Sequence, residues 1–146
     1  METFIDLLVA RGRAVEPQVD RQLDNALMRL SLMLEALAAE LRVEYLGPEV
    51  GLGPGAHVYR LAVREHECEW QRRVWSVRVC TALPHAGWRA EWTLPGASRL
   101  RKRIIVRCLP EFFHGYGQAI LAAGKDRTNA GMRILELARW FQRGSG

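Results

Sequence analysis

The spacing of apolar residues along this chain changes from a helical period to a strand period and back again. Six leucines between residues 23 and 41 recur at steps of three and four, which is the period of one helix face. Between residues 59 and 92 apolar and polar side chains alternate, as they do along a strand with one buried face. Steps of three and four return after Pro110. This order of periods predicts helices and a sheet that share one core.

The first third of the chain is predicted to be helical. Thr3 and Asp6 have the spacing of a capping box, and Gly12 suits the residue after a helix end, so the pattern predicts a short helix over 3–11. Pro17 suits the first turn of a longer helix that runs to about Tyr45. The apolar stripe of that helix consists of Leu23, Leu27, Leu30, Leu34, Leu37 and Leu41, widened by Met28, Leu32, Met33 and Ala38. A stripe of this width favours a core helix over a coiled-coil seam, and a homodimer through this helix is the alternative.

Three strands are predicted in the middle of the chain. Their inward-facing residues are Tyr59, Leu61 and Val63, then Trp75, Val77 and Val79, then Trp88, Ala90 and Trp92. Turns at 65–67 and 84–87 separate the strands, and both turns are too short for a parallel crossover. We therefore expect an antiparallel meander with its aromatic face toward helices and its Arg, Glu and Thr side chains toward solvent.

Segment 98–109 (SRLRKRIIVRCL) fits two different structures. Its β-branched residues and the hairpin-like turn over 94–98 favour a fourth strand. Alternatively, Ser98 caps a helix that ends before Pro110, because the residue before a proline is disfavoured in a helix. The strand is the prediction that we adopt.

Two helices are predicted at the C-terminal end, one after Pro110 and one from Asp126 or Thr128 to about Phe141. The predicted fold class is α+β, with a long N-terminal helix, a three- or four-stranded antiparallel meander and two C-terminal helices packed on one face of the sheet. Residues 1–146 are predicted to form a single domain, with 3–45 helical, 56–109 in the sheet, 110–142 helical and 143–146 a frayed tail.

Composition limits the class of protein. Hydrophobic residues make up 49% of the chain and charged residues 25%, which is the balance of a globular protein with a buried core. The acidic N-terminal segment lacks the basic region of a secretory signal, and no apolar run reaches the length of a membrane span. Three cysteines lie at wide spacings without a C-x-x-C pair. We therefore expect a soluble cytoplasmic protein with reduced cysteines.

The positive charge of the chain is concentrated in its last third. Residues 1–97 hold 11 arginines and 13 acidic residues, a net charge of −2, whereas residues 98–146 hold 10 basic and three acidic residues, a net charge of +7. Half of those basic residues lie close together: Arg99, Arg101, Lys102, Arg103 and Arg107. On a strand, the four arginines share one face, with alternate charges about 6.6–6.8 Å apart. This run is therefore the candidate anion-binding strip.

The strip suits an anionic ligand or a protein partner, and these are the partners that we favour. A nucleic-acid-binding module that contacts phosphates without reading sequence is an alternative, although the chain has no helix-turn-helix, RNP or zinc-finger pattern. The same pattern is also explained without a ligand. The charged face of the strand then stays in contact with water and prevents edge-to-edge aggregation.

A second candidate site is the aromatic segment 112–117 (FFHGYG). A pocket lined by Phe113, His114 and Tyr116 would suit a small ligand or a substrate. Aromatic clusters more often fill the core, with the two glycines allowing close packing of the helix on the sheet, and this interpretation is favoured.

No catalytic or metal site is predicted. His66 and Cys68 supply two ligands where a structural zinc needs four. Nucleophilic catalysis needs a thiol within reach of a base, and the spacing forces no such pairing of Cys80 or Cys108 with His85 or His114. The glycine-rich loop 47–55 lacks the flanking elements of a phosphate-binding loop. We therefore predict no cofactor and favour a binding or adaptor protein over an enzyme.

Overall fold

Two helices form the N-terminal third of the computed structural model, which describes residues 3–51, 58–68, 72–82 and 89–145. Helix α1 spans Thr3–Arg13 and helix α2 spans Arg21–Leu41. The second helix begins after Asp20, whose carboxylate accepts a hydrogen bond from the backbone N–H of Leu23 at 3.0 Å. Pro17 therefore lies in a linker between the helices, four residues before the helix that it was predicted to open.

An antiparallel sheet follows the two helices. Its strands are β1 (Tyr45–Leu46), β2 (Val50–Gly51), β3 (Val58–Cys68), β4 (Arg72–Ala82) and β5 (Arg89–Thr93). The order β1-β3-β4-β5, with β2 also paired to β3, makes β3, β4 and β5 the predicted meander. The turn predicted at 65–67 is wrong, because β3 continues through these residues in register with β4. The turn predicted at 84–87 lies outside the described residues.

The fourth strand predicted over 98–109 is also wrong. These residues open helix α3 (Arg99–Ala122), which is followed by α4 (Asn129–Ser145), so the sheet ends at Thr93. Residues 143–145 of the predicted tail belong to α4, and Gly146 lies outside the described residues. Ser98 is the N-cap of α3, which agrees with the alternative prediction of a helix over this segment. That helix was predicted to end before Pro110, whereas α3 continues through it. The reason is a continuous buried stripe at helical spacing: Ile105, Leu109, Phe112, Tyr116 and Ile120. Burial along this stripe outweighs the strand propensity of the β-branched residues.

Pro110 marks the place where α1 crosses α3. A proline has no N–H to donate to the carbonyl four residues earlier, which here belongs to Val106. Gly12 of α1 lies against that carbonyl, and a Cβ at position 12 would stand 2.5 Å from the Val106 oxygen. Close approach of the two helix backbones therefore depends on a glycine at position 12.

The core lies between the helices and one face of the sheet, and the predicted α+β class is confirmed. Five of the six leucines in the α2 stripe are buried, while Leu37 is partly buried, so α2 is a core helix. Met28 and Leu32 of the same helix are instead exposed. Within the described residues, no helix combines the length and hydropathy that a membrane span requires.

Gly115 lets α3 pack closely on the sheet, as the favoured interpretation of segment 112–117 predicts, whereas Gly117 faces α4. A Cβ at Gly115 would stand 1.7 Å from the Tyr45 hydroxyl oxygen and 2.6 Å from its ring carbon Cζ. The Tyr45 ring has little room to move, because two other rings pack against it. Its centroid is 5.8 Å from that of Tyr116, on which it stacks, and 5.7 Å from that of Phe112. Gly115 is thus the position where β1 contacts α3.

Replacement of Gly115 by alanine should lower the free energy of unfolding by about 1–3 kcal/mol, because the new methyl group overpacks the Tyr45 ring. The same change should be less harmful when combined with Tyr45→Phe, which removes the nearest atom. Urea denaturation of the two single variants and the double variant gives the coupling energy, expected to exceed about 0.5 kcal/mol. If Gly115→Ala instead stabilised the protein by about 1 kcal/mol, its helix-propensity gain would be unopposed and the contact would be unimportant.

Candidate functional site

The basic run at 99–107 lies on the first turns of α3, so its side chains do not share one face. Arg101 stacks on Trp92 of β5, with the guanidinium carbon 3.6 Å from the ring centroid. Lys102 forms an ion pair with Asp24 of α2, with Nζ 2.7 Å from Oδ1. These two residues therefore join α3 to the sheet and to α2.

The remaining three arginines of the run follow one another at intervals of four along α3. Arg99, Arg103 and Arg107 all reach backbone carbonyl groups in the linker between α1 and α2. The helical spacing splits the candidate strip into this row and the two side chains that face other elements. Anion binding at the strip stays a prediction, now located on a helix.

The three residues of the predicted pocket do not line one cavity. Phe113 and Tyr116 are fully buried, and Phe113 stacks on Phe141 of α4 with ring centroids 4.9 Å apart. Burial also raises the pKa of the Tyr116 hydroxyl. His114 lies on the other side of α3 and is exposed. The aromatic residues are core, and only the histidine reaches the surface.

His114 lines a groove of about 670 Å³ between α3 and α4. The other lining residues are Gly117, Gln118, Leu121, Leu135, Ala138, Arg139, Gln142 and Arg143. Gly117 creates part of the depression, since a Cβ there would stand 3.2 Å from Cδ2 of Leu135. The lining therefore combines apolar residues from both helices with polar and basic ones.

The charge of the groove has one sign. Arg139 and Arg143 lie along it, and none of the described residues that line it is acidic. Leu121 is 45% exposed, so an apolar surface lies open to solvent beside the arginines. An apolar surface edged by cations is suited to a ligand that carries both apolar groups and carboxylates.

A second polar cluster lies on the sheet face opposite the helices, and it is not among the sites predicted from the sequence. Glu91 of β5 is its centre: its carboxylate pairs with the Arg64 guanidinium and lies 3.0 Å from His66 Nδ1. Arg78 approaches the same carboxylate at 3.9 Å, and the Cys80 thiol lies 3.7 Å from it. The register pairs of Cys80 with Glu91 and Arg64 with Ser76 bring these side chains together. Alternation places each residue on this face, but only the register, which the sequence does not show, makes them neighbours.

His66 is 3% exposed and holds a neutral imidazole at neutral pH. Burial lowers its pKa to about 4, with the positive charges of Arg78 and Arg64 acting in the same direction. Because a carboxylate only accepts hydrogen bonds, the proton of the neutral ring lies on Nδ1 and is donated to Glu91. The cluster is a stable ion-pair network in which the imidazole orients the carboxylate.

The side chains of Cys80 and Cys108 lie in different surroundings. Cys80 lies beside Glu91, and His85 is outside the described residues. Burial, with a smaller effect of Glu111, raises the pKa of Cys108 to about 11, so its thiol is protonated at neutral pH. In the described ranges, no group of three or more His, Cys, Asp and Glu side chains is placed to hold a metal ion.

Comparisons with protein-family models, with curated proteins and with solved structures found no match. The geometry of the chain itself is therefore the basis for a functional hypothesis.

The pKa of His66 predicts a loss of stability in mild acid. The unfolded chain binds a proton at this residue below its ordinary pKa of about 6.5, whereas the folded chain does so only near pH 4. The stabilising contribution is therefore complete above pH 6.5 and is lost as the pH falls toward 4. Between pH 7 and pH 5 the free energy of unfolding should fall by about 2 kcal/mol from this residue.

Urea denaturation at pH 7 and pH 5 measures this loss, with His66→Asn as the comparison, because asparagine keeps a donor for Glu91 but does not titrate. The variant should lose less stability between the two pH values than the natural chain. An identical loss in both proteins would show that other groups cause the acid sensitivity.

Proposed function

We propose that this protein is a non-enzymatic binding or adaptor protein that docks an acidic, amphipathic helix of a partner protein in the groove between α3 and α4. The observation that carries the proposal is the composition of the groove, in which an exposed apolar surface adjoins Arg139, Arg143 and His114 without a carboxylate among the described lining residues. The partner class follows from this complementarity.

The shape of the groove favours a helix as the occupant. The groove runs between two helices, and its apolar residues Leu121, Leu135 and Ala138 come from both of them. A helix that lies along such a groove presents apolar side chains at steps of three and four, and its flanking positions then face the rim. Carboxylates at those flanking positions meet the arginines.

The contacts of the other candidate surface also support this choice. Arg101 and Lys102 are engaged with Trp92 and Asp24, so part of the basic run already has partners within the chain. Arg139 and Arg143 instead lie beside exposed apolar area. Burial of apolar area is the main source of affinity in protein association, and charge mainly selects the partner.

The proposal is tested with a fluorescein-labelled model peptide that has leucine at helical steps of three and four and glutamate at the remaining positions. Fluorescence anisotropy should show saturable binding of this peptide to the full chain. A peptide with lysine in place of glutamate should bind at least about tenfold more weakly, because its charges face the arginines. Equal binding of both peptides, or binding of neither, would contradict the proposal.

A matched pair of leucine variants locates the binding surface. Leu121→Glu removes an apolar contact in the groove and adds a negative charge there, so it should weaken binding of the acidic peptide at least about tenfold. Leu100→Glu is the control, because Leu100 is on the same helix and similarly exposed (49% against 45%) but does not line the groove. Equal effects of the two substitutions would place the peptide elsewhere.

A further inference from the structure

Four arginines surround the linker between α1 and α2 and donate hydrogen bonds to its backbone carbonyl groups. Arg11 reaches the oxygen of Gln18 at 2.7 Å, Arg99 that of Val19 at 3.0 Å, and Arg103 that of Pro17 at 3.2 Å. Arg107 reaches the oxygens of Ala14, at 3.4 Å, and Val15. Five carbonyl groups between residues 14 and 19 are thus bound by guanidinium groups.

These contacts hold the linker on the surface, because burial of apolar area does little for most of it. Residues 14–20 form no helix or strand, and Val15 is 95% exposed, whereas Pro17 is buried. Glu16 adds an ion pair with Arg103 at 3.7 Å. A backbone without regular structure needs donors for its carbonyl oxygens, and the arginines supply them.

A neutral carbonyl is a poor partner for a guanidinium compared with a phosphate. A phosphate carries negative charge and accepts two parallel N–H bonds from one guanidinium, whereas most carbonyl oxygens here accept one. Arg99, Arg103 and Arg107 stand four residues apart on α3, which spaces their backbone positions by about 6 Å along the helix. A row with this spacing can contact several phosphates of one chain.

From these contacts we infer that Arg99, Arg103 and Arg107 form a binding site for a linear chain of phosphates, and that the linker occupies the site when no phosphate chain is bound. Binding of the phosphates withdraws these three guanidinium groups from the linker carbonyl groups and releases the linker at their acceptors, which are Ala14, Val15, Pro17 and Val19. This site is independent of the groove between α3 and α4, so peptide binding in that groove and phosphate binding here succeed or fail separately.

Cleavage by pancreatic elastase, which cuts after small residues, reports the release of the linker at the Ala14–Val15 bond, because Arg107 holds the Ala14 carbonyl group. Short-chain inorganic polyphosphate should accelerate the appearance of the fragment that begins at Val15, measured by mass spectrometry on the full chain. Polyglutamate of matched charge is the control and should have a much smaller effect, because carboxylates lack the tetrahedral set of oxygens. Protection of the bond by polyphosphate, or equal acceleration by polyglutamate, would overturn the inference.

Two pairs of substitutions separate the site from general charge. Arg103→Gln with Arg107→Gln should speed cleavage after Ala14 without any ligand and abolish the further effect of polyphosphate. Arg103→Lys with Arg107→Lys keeps the charge and one donor for each carbonyl, so it should hold the linker yet respond less to polyphosphate. Arg127→Gln, an exposed arginine in the turn after α3, should change neither rate. A glutamine pair cleaved as slowly as the natural chain, with unchanged circular dichroism, would refute the role of the row.

The source of the phosphates is distinguished by a second ligand. Oligothymidylate that accelerates cleavage as polyphosphate does extends the site to nucleic-acid backbones, and its failure restricts the site to polyphosphate. The dependence of polyphosphate affinity on salt should become less steep by about one in logarithmic slope for each arginine removed. An unchanged slope in the glutamine pair would place the phosphates on other residues.

Discussion

The continuous apolar face of α3 is the feature on which the rest of the structure depends. Through it the helix contacts α1 at Gly12, β1 at Tyr45 and α4 at Phe141. The face crosses Pro110 without a break, so the burial of apolar residues on both sides offsets the hydrogen bond that the proline cannot make. The groove and the arginine row lie on the two surfaces of α3 that this packing leaves outside the core.

Arginine side chains cover part of the sheet face that lies opposite the helices. On the outer face of the sheet, Arg64 and Arg78 are only partly exposed and lie around Glu91, while Ala62 and Cys80 beneath this face are buried. A guanidinium keeps its charge toward water while its aliphatic stem covers apolar surface. Among the described residues, ion-paired side chains therefore cover this face of the sheet.

The periodicity of apolar residues alone predicts the two-layer α+β fold, because a long run with one period is compatible with either a helix or a strand but not with both. The leucines of α2 and the alternating residues of β3 and β4 are of this kind. Residues 98–109 were different, since three adjacent β-branched residues carry no period of their own. The decisive pattern begins at Ile105 and is completed only at Ile120, beyond a proline that normally ends a helix. When the apolar spacing is followed across Pro110, the helical stripe is visible. When it is followed only as far as Pro110, the β-branched residues favour a strand.

The candidate sites were harder to predict than the fold for a physical reason. Which arginines face the linker depends on the helical phase of α3, and the neighbours of Glu91 depend on strand register, neither of which is a local property of the sequence. His114 was identified because it lies in an unusual segment, but its companions Arg139 and Arg143 come from a helix 25 or more residues further along the chain.

The net charge of +7 in the last third therefore overstates the charge that a partner can contact. Seven of its ten basic side chains already contact carbonyl groups, carboxylates or an aromatic ring elsewhere in the chain: Arg99, Arg101, Lys102, Arg103, Arg107, Lys125 and Arg133. Such groups still attract anions over a distance, but a ligand must displace their present partners before it binds them directly. Arg139 and Arg143 lie beside apolar surface in the groove, where the proposed partner helix would gain burial and charge pairing together. The proposal for the groove therefore rests on the position of these two charges relative to apolar area, and not on the total charge of the last third.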